Sequence, residues 1–147
     1  MHTEHLQNVR PGRVVAAWLI AAAVTSLVAL VLVSSGVMTT EGTVANNWWS
    51  VAAVAVGFFA GGLFAGFRAI GAPILHAFGI GLMSLVAWVL VNALAVLFLP
   101  GWSWTALTPQ LAMGILFMQL VASTLGALLG HNLAFRGRPG LTEQEPL

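Results

Sequence analysis

Four stretches of roughly twenty residues or more contain no Arg, Lys, Asp or Glu, and no other feature restricts this chain so strongly. They run from Val14 to Val37, Trp48 to Phe67, Ile74 to Leu99 and Leu111 to Leu133. A helix of roughly 20 apolar residues crosses a bilayer core of about 30 Å. Barrel strands would alternate apolar with polar and be half as long. The expected fold class is therefore all-α membrane: a compact four-transmembrane-helix bundle, one domain over residues 1–147, with short tails.

Composition closes the soluble alternative. Charged residues make up 6% of the chain and hydrophobic ones 59%, where a soluble domain carries about 25% charged. A net charge of +1 offers no basic stripe, so no nucleic-acid partner is expected. The absence of cysteine removes disulfides and thiolate metal sites.

All five arginines fall on one side of the four spans. Arg10 and Arg13 precede the first, Arg68 follows the second, and Arg136 and Arg138 follow the fourth. The opposite connections hold a single charge, Glu41, while Trp48, Trp49, Trp102 and Trp104 gather there as an aromatic belt. The positive-inside rule then places both termini in the cytoplasm. The first span ends in Val33-Ser34-Ser35-Gly36-Val37 without a small-residue cleavage site, which predicts a retained helix rather than a signal peptide. Short connections (Thr39–Asn47, Arg68–Pro73, Pro100–Pro109) predict that consecutive helices are antiparallel neighbours.

Helices in lipid associate through small residues and hydrogen bonds rather than through a hydrophobic drive. The first span offers Trp18, Ala22, Thr25, Ala29 and Gly36, and the third offers Ala77, Gly81, Ser84, Trp88, Asn92 and Ala95. The second carries Gly57/Gly61 and Gly62/Gly66 on adjacent flanks, with Val56, Phe59, Leu63 and Phe67 on the opposite side for lipid. The fourth carries Gly126/Gly130, in the same relative place as Gly62/Gly66. That correspondence suggests two repeated antiparallel hairpins related by an axis along the membrane normal.

Asn92 and Gln119 are the only amides deep in the spans, each roughly 10–12 Å below the outer surface at the helical rise. A mutual interhelical hydrogen bond is expected, with a polar solute path as the functional alternative. Thr25, Ser26, Ser84, Ser123 and Thr124 form a loose hydroxyl layer expected to bond its own helices' carbonyls. His76 and His131 lie at similar depth and are candidate ligands for haem or a chlorin. Their helical phase places them off the packing seams, at the bundle rim, against headgroups or loop carbonyls. Arg68 is expected to cap helix carbonyls or to pair with a lipid phosphate. No catalytic residue and no metal site is expected, because no Ser/His/carboxylate set, acid pair or intramembrane carboxylate exists.

The run Gly61-Gly62-Leu63-Phe64-Ala65-Gly66-Phe67-Arg68-Ala69, followed by Leu75-His76 and Gly79-Ile80-Gly81-Leu82, resembles small four-span bacterial membrane proteins of the YrzE type. The likeness covers about forty residues and the four-span plan. Ala77 departs from it where a Gly commonly follows the His, and so does Phe67 where a second basic residue is common. The resemblance implies a bacterial cytoplasmic-membrane protein with no known catalytic residue or ligand.

The function expected is a non-enzymatic structural or accessory subunit, packing through small residues against itself or a larger membrane complex. A passive channel or facilitator lined by Asn92 and Gln119 is the first alternative. A haem- or chlorin-binding subunit of a respiratory or photosynthetic complex is the second. Outside that case no cofactor is expected.

Overall fold

A computed structural model describes residues 10–39, 44–68, 72–101 and 109–136. Four helices account for nearly all of them: α1 Pro11–Ser34, α2 Val44–Arg68, α3 Pro73–Phe98 and α4 Pro109–Arg136. Each contains a segment long and apolar enough to cross a membrane, over Pro11–Ser34, Asn46–Arg68, Pro73–Phe98 and Ala112–Arg136. The chain is an all-α, four-span bundle with no strand among the described residues. Arg138, Glu41, Trp102 and Trp104 lie outside the described residues.

Helix ends follow local chemistry. Pro11 and Pro73 open α1 and α3, where a missing N–H breaks no internal bond. α1 stops before Gly36, which takes φ +73°, a conformation that L side chains rarely adopt. Gly36 therefore ends the helix instead of packing on its seam. α2 begins at Val44, ahead of the Trp pair, because the Asn46 side chain secures the incoming chain. Its amide donates to the Thr39 carbonyl at 2.8 Å and accepts from the Thr39 N–H at 3.1 Å, and Asn46 is buried.

Contacts between helices fix their directions. Gly57 and Gly61 of α2 lie on Thr25, Ala21 and Ala17 of α1, so these two are antiparallel. Val14 of α1 meets Gly79 of α3 and Trp18 meets Ser84, so α1 and α3 run parallel. Gly62 and Gly66 of α2 lie on Ser123 and Ala127 of α4, again parallel. Arg10, Arg13, Arg68 and Arg136 therefore share one end of the bundle. Going round it, the order is α1, α2, α4, α3.

That order corrects one expectation. α2 and α3 are consecutive in sequence yet pack only weakly, and the most intimate pair is the parallel one, α2 with α4. The cause is reciprocal glycine packing. A Cβ at Gly62 would strike the Ser123 carbonyl and one at Gly126 the Phe59 carbonyl. Gly66 meets the Ala127 carbonyl and Gly130 the Leu63 carbonyl in the same way. Gly62 to Gly126 and Phe59 to Ser123 are offset by the same 64 residues, so the seam is symmetric about a two-fold along the helices. Hydrogens on glycine Cα atoms face carbonyl oxygens of the partner, a contact that no residue with a side chain permits. The symmetry stops at this seam: Val121 and Leu125, both exposed, stand where the repeat of Gly57 and Gly61 would fall.

Packing is confined to the arginine end. The core consists of Val14, Ala17, Ala21, Phe58, Ala65, Ile80 and Ala122. Towards the opposite end, only Asn46, Ala53 and Asn92 are buried among the described side chains. Small residues bring backbones together over one half of the bundle. Over the other half, Val, Leu, Met and Phe hold them apart.

Candidate functional site

The two halves meet at a crevice near the middle of the helices. All four contribute to its inner compartment: Trp18, Thr25 and Ser26 from α1, Phe58 from α2, Ser84 from α3 and Gln119 from α4. This compartment measures about 270 Å³. Ser84 and Gln119 also border a second compartment of about 180 Å³ between α3 and α4, walled by Leu85, Trp88, Met113 and Leu116. A shallower groove continues along the same helices past Gly81, Leu85, Leu116 and Leu120.

Hydrogen bonding sorts the polar groups around the crevice. The Trp18 indole N–H donates to Ser84 Oγ at 3.0 Å, tying α1 to α3, and Ser84 turns its own proton to the Ile80 carbonyl at 3.5 Å. Ser123, fully buried, donates to the Ala77 carbonyl at 3.2 Å across α3 and α4 and lies equally close to the Leu120 carbonyl. The hydroxyl layer thus serves cross-helix contacts as well as the local carbonyls expected of it. Thr25 Oγ1 is buried with no hydrogen-bond partner.

Asn92 and Gln119 are not joined. Asn92 is buried and donates to the Trp88 carbonyl on its own helix at 2.9 Å. Gln119 is half-buried and its amide faces the crevice, making no hydrogen bond to a described residue. Small-residue phase predicted that both amides turn inward. It could not fix the relative height of α3 and α4, which the Gly81–Leu120 contact sets. Within one chain, a path from the crevice to the arginine end would have to cross the buried layer of Ala17, Phe58, Ile80 and Ala122.

The histidines also differ from expectation. His76 is not at the rim: it is 1% exposed. Its Nδ1 lies 2.7 Å from the Ala72 carbonyl, which can only accept, so Nδ1 carries the proton. Nε2 accepts from the Arg10 backbone N–H at 3.3 Å. Both ring nitrogens are engaged, leaving neither to ligate a haem iron or a chlorin magnesium. The side chain instead ties the entrances of α1 and α3 together. His131 is half-buried against Phe135, ring centroids 4.5 Å apart, with its Nδ1 buried and unpartnered. Among the described residues no group of three His, Cys, Asp or Glu stands close enough to hold a metal ion.

Arg68 is exposed, its guanidinium 5.7 Å from the centre of the Phe64 ring. The cap on the α2 terminus comes from elsewhere: Arg13 donates through its guanidinium to the Arg68 carbonyl. Sequence position marked Arg13 only as a topogenic charge. The lipid-facing expectation for α2 holds for Val56, Phe59 and Phe67, which are exposed. Leu63 is half-buried because its carbonyl lies beneath Gly130.

Comparison with protein-family models, with curated proteins and with solved structures returns no match.

Proposed function

We propose that this four-span protein is a non-enzymatic structural subunit that assembles with further copies of itself through the loosely packed half of α3. Its setting is a bacterial cytoplasmic membrane with both termini in the cytoplasm, as the arginine distribution and the resemblance to YrzE-type proteins suggest. The glycine surfaces of α2 and α4 are occupied inside the chain, so they are not the docking surfaces. One observation supports α3 in that role. Val86, Val89, Ala93 and Val96 follow one another at 3-4-3 spacing and are all exposed. Such a seam of small and β-branched residues suits a left-handed crossing between parallel helices, and copies inserted the same way present it in parallel.

The natural absence of cysteine makes the test direct. Val89→Cys should form a disulfide-linked dimer on mild oxidation in native membranes, and Val91→Cys, on the far side of the helix, should not. Native mass spectrometry from nanodiscs should show a matching oligomer. A clean monomer, or equal cross-linking at both positions, overturns the reading.

A further inference from the structure

Lipid supplies no partner for a polar side chain, so an unpaired hydrogen-bonding group inside a membrane bundle calls for an occupant. The crevice has two such groups from different helices, the buried Thr25 hydroxyl and the Gln119 amide. Both are neutral, and no Arg or Glu lies in the spans around them, so the site is not built for an ion. Walls on the inner compartment include the flat faces of Trp18 and Phe58, and the outer compartment adds Trp88. A cavity of roughly 150 Å³ holds a benzene ring, and the inner compartment is larger, at about 270 Å³. The outer compartment is apolar apart from Ser84 and Gln119 at its mouth, and leads out between α3 and α4 past Leu85 and Leu116.

A polar, aromatic-walled chamber with an apolar exit towards lipid fits one kind of molecule. We infer that the crevice binds a lipid-soluble carbonyl compound of the quinone class. Its ring carbonyls accept hydrogen bonds from Gln119 and Thr25, and its hydrocarbon tail leaves between Leu85 and Leu116. Water alone would satisfy the inner groups but leaves the apolar exit without a role. A phospholipid ester offers the same carbonyl chemistry without a planar ring. The inference is independent of self-association through α3, which uses a different face.

The full chain in phosphatidylcholine nanodiscs is titrated with menadione, which has no tail, and with a decyl-substituted benzoquinone. Thermal stability and Kd are read for the natural protein and for Gln119→Leu, Thr25→Val and Leu116→Trp. Both probes should raise Tm saturably in the natural protein. Gln119→Leu should weaken both by about tenfold or more, the loss of a hydrogen bond to a buried group, and Thr25→Val should act in the same direction. Leu116→Trp should weaken the decyl probe well beyond menadione. Should Gln119→Leu not fold, Thr25→Val and Leu116→Trp carry the test alone. The absence of a saturable shift, or equal Kd in all variants, overturns the inference. Stabilisation of the detergent-extracted protein by added phospholipid but not by menadione overturns the ring assignment and gives the crevice to a lipid ester. A Tm rise in Gln119→Leu without any response to either probe in the natural protein leaves water as the occupant and also overturns it.

Discussion

Gly114 and Gly126 stand on the same helix, roughly three turns apart, and meet opposite surroundings. A Cβ on Gly126 would strike the Phe59 carbonyl, whereas one on Gly114 would meet nothing within 4 Å. The contrast extends to the whole bundle. At the arginine end, glycine and alanine let four backbones close on one another, and polar groups find partners across helices: His76 with Arg10, Arg13 with the Arg68 carbonyl, Ser123 with the Ala77 carbonyl. Towards the other end the same helices carry bulky apolar side chains, expose them, and leave Thr25 and Gln119 unpaired at the point of divergence. One half is a clamp and the other is adaptable. In lipid this division follows from side-chain volume, because apolar surface gains nothing by leaving one hydrocarbon for another and only close packing holds helices together.

The comparison breaks most visibly at the α2–α4 seam. Gly126→Ala should lower stability in detergent by about 1–3 kcal/mol, because the added methyl meets backbone that cannot rotate aside. Gly62→Ala, its counterpart across the two-fold, should match it in size. Thermal melts of both variants would show this, and an effect confined to one of them would deny the reciprocity of the seam. Gly61→Leu should instead loosen α1, since its Cβ would sit 2.6 Å from the Ala17 carbonyl and 2.7 Å from the Ala21 methyl. Cysteine cross-links from α2 to α1 and to α4 would distinguish it from Gly66→Leu, which meets the Ala127 carbonyl.

Replacement of His76 tests the arginine end by a different route. His76→Phe fills similar volume but removes the acceptor for the Arg10 N–H and the donor to the Ala72 carbonyl. An expected loss of about 1–3 kcal/mol follows from leaving a buried group unpaired. Hydrogen exchange should rise at the entrances of α1 and α3 and not at their far ends. Uniform exchange along both helices would contradict the placement of His76 as a local tie.

The smallest effect should also have the opposite sign. Gly114→Ala places a methyl in open space on the loosely packed half and removes a flexible residue from a helix interior. It should stabilise by about 0.5–1 kcal/mol on helix propensity alone. A destabilisation resembling that of Gly126→Ala would mean that the outer part of α4 is covered, and the contrast between the halves would fail.

The four spans, their helical state and the common side of the arginines follow from sequence alone. Hydrocarbon admits a backbone only when its hydrogen bonds close within the segment, so twenty uncharged apolar residues have one solution. The small-residue flanks of α2 were legible too, since 3.6-residue geometry separates Gly57/Gly61 from Gly62/Gly66 whatever packs against them. What those flanks meet was decided by tertiary structure. Connection length favoured α3 beside α2, yet backbone approach at Gly62, Gly66, Gly126 and Gly130 draws α4 there instead. The same arrangement separates Asn92 from Gln119, buries His76 against the N-terminus of α1, and assigns the α2 cap to Arg13 rather than to Arg68. Each of these depends on the relative height and rotation of two helices. A periodic pattern states which side of a helix is small or polar. Only contact between backbones sets the register in which two such sides meet, and the polar partners follow from that register.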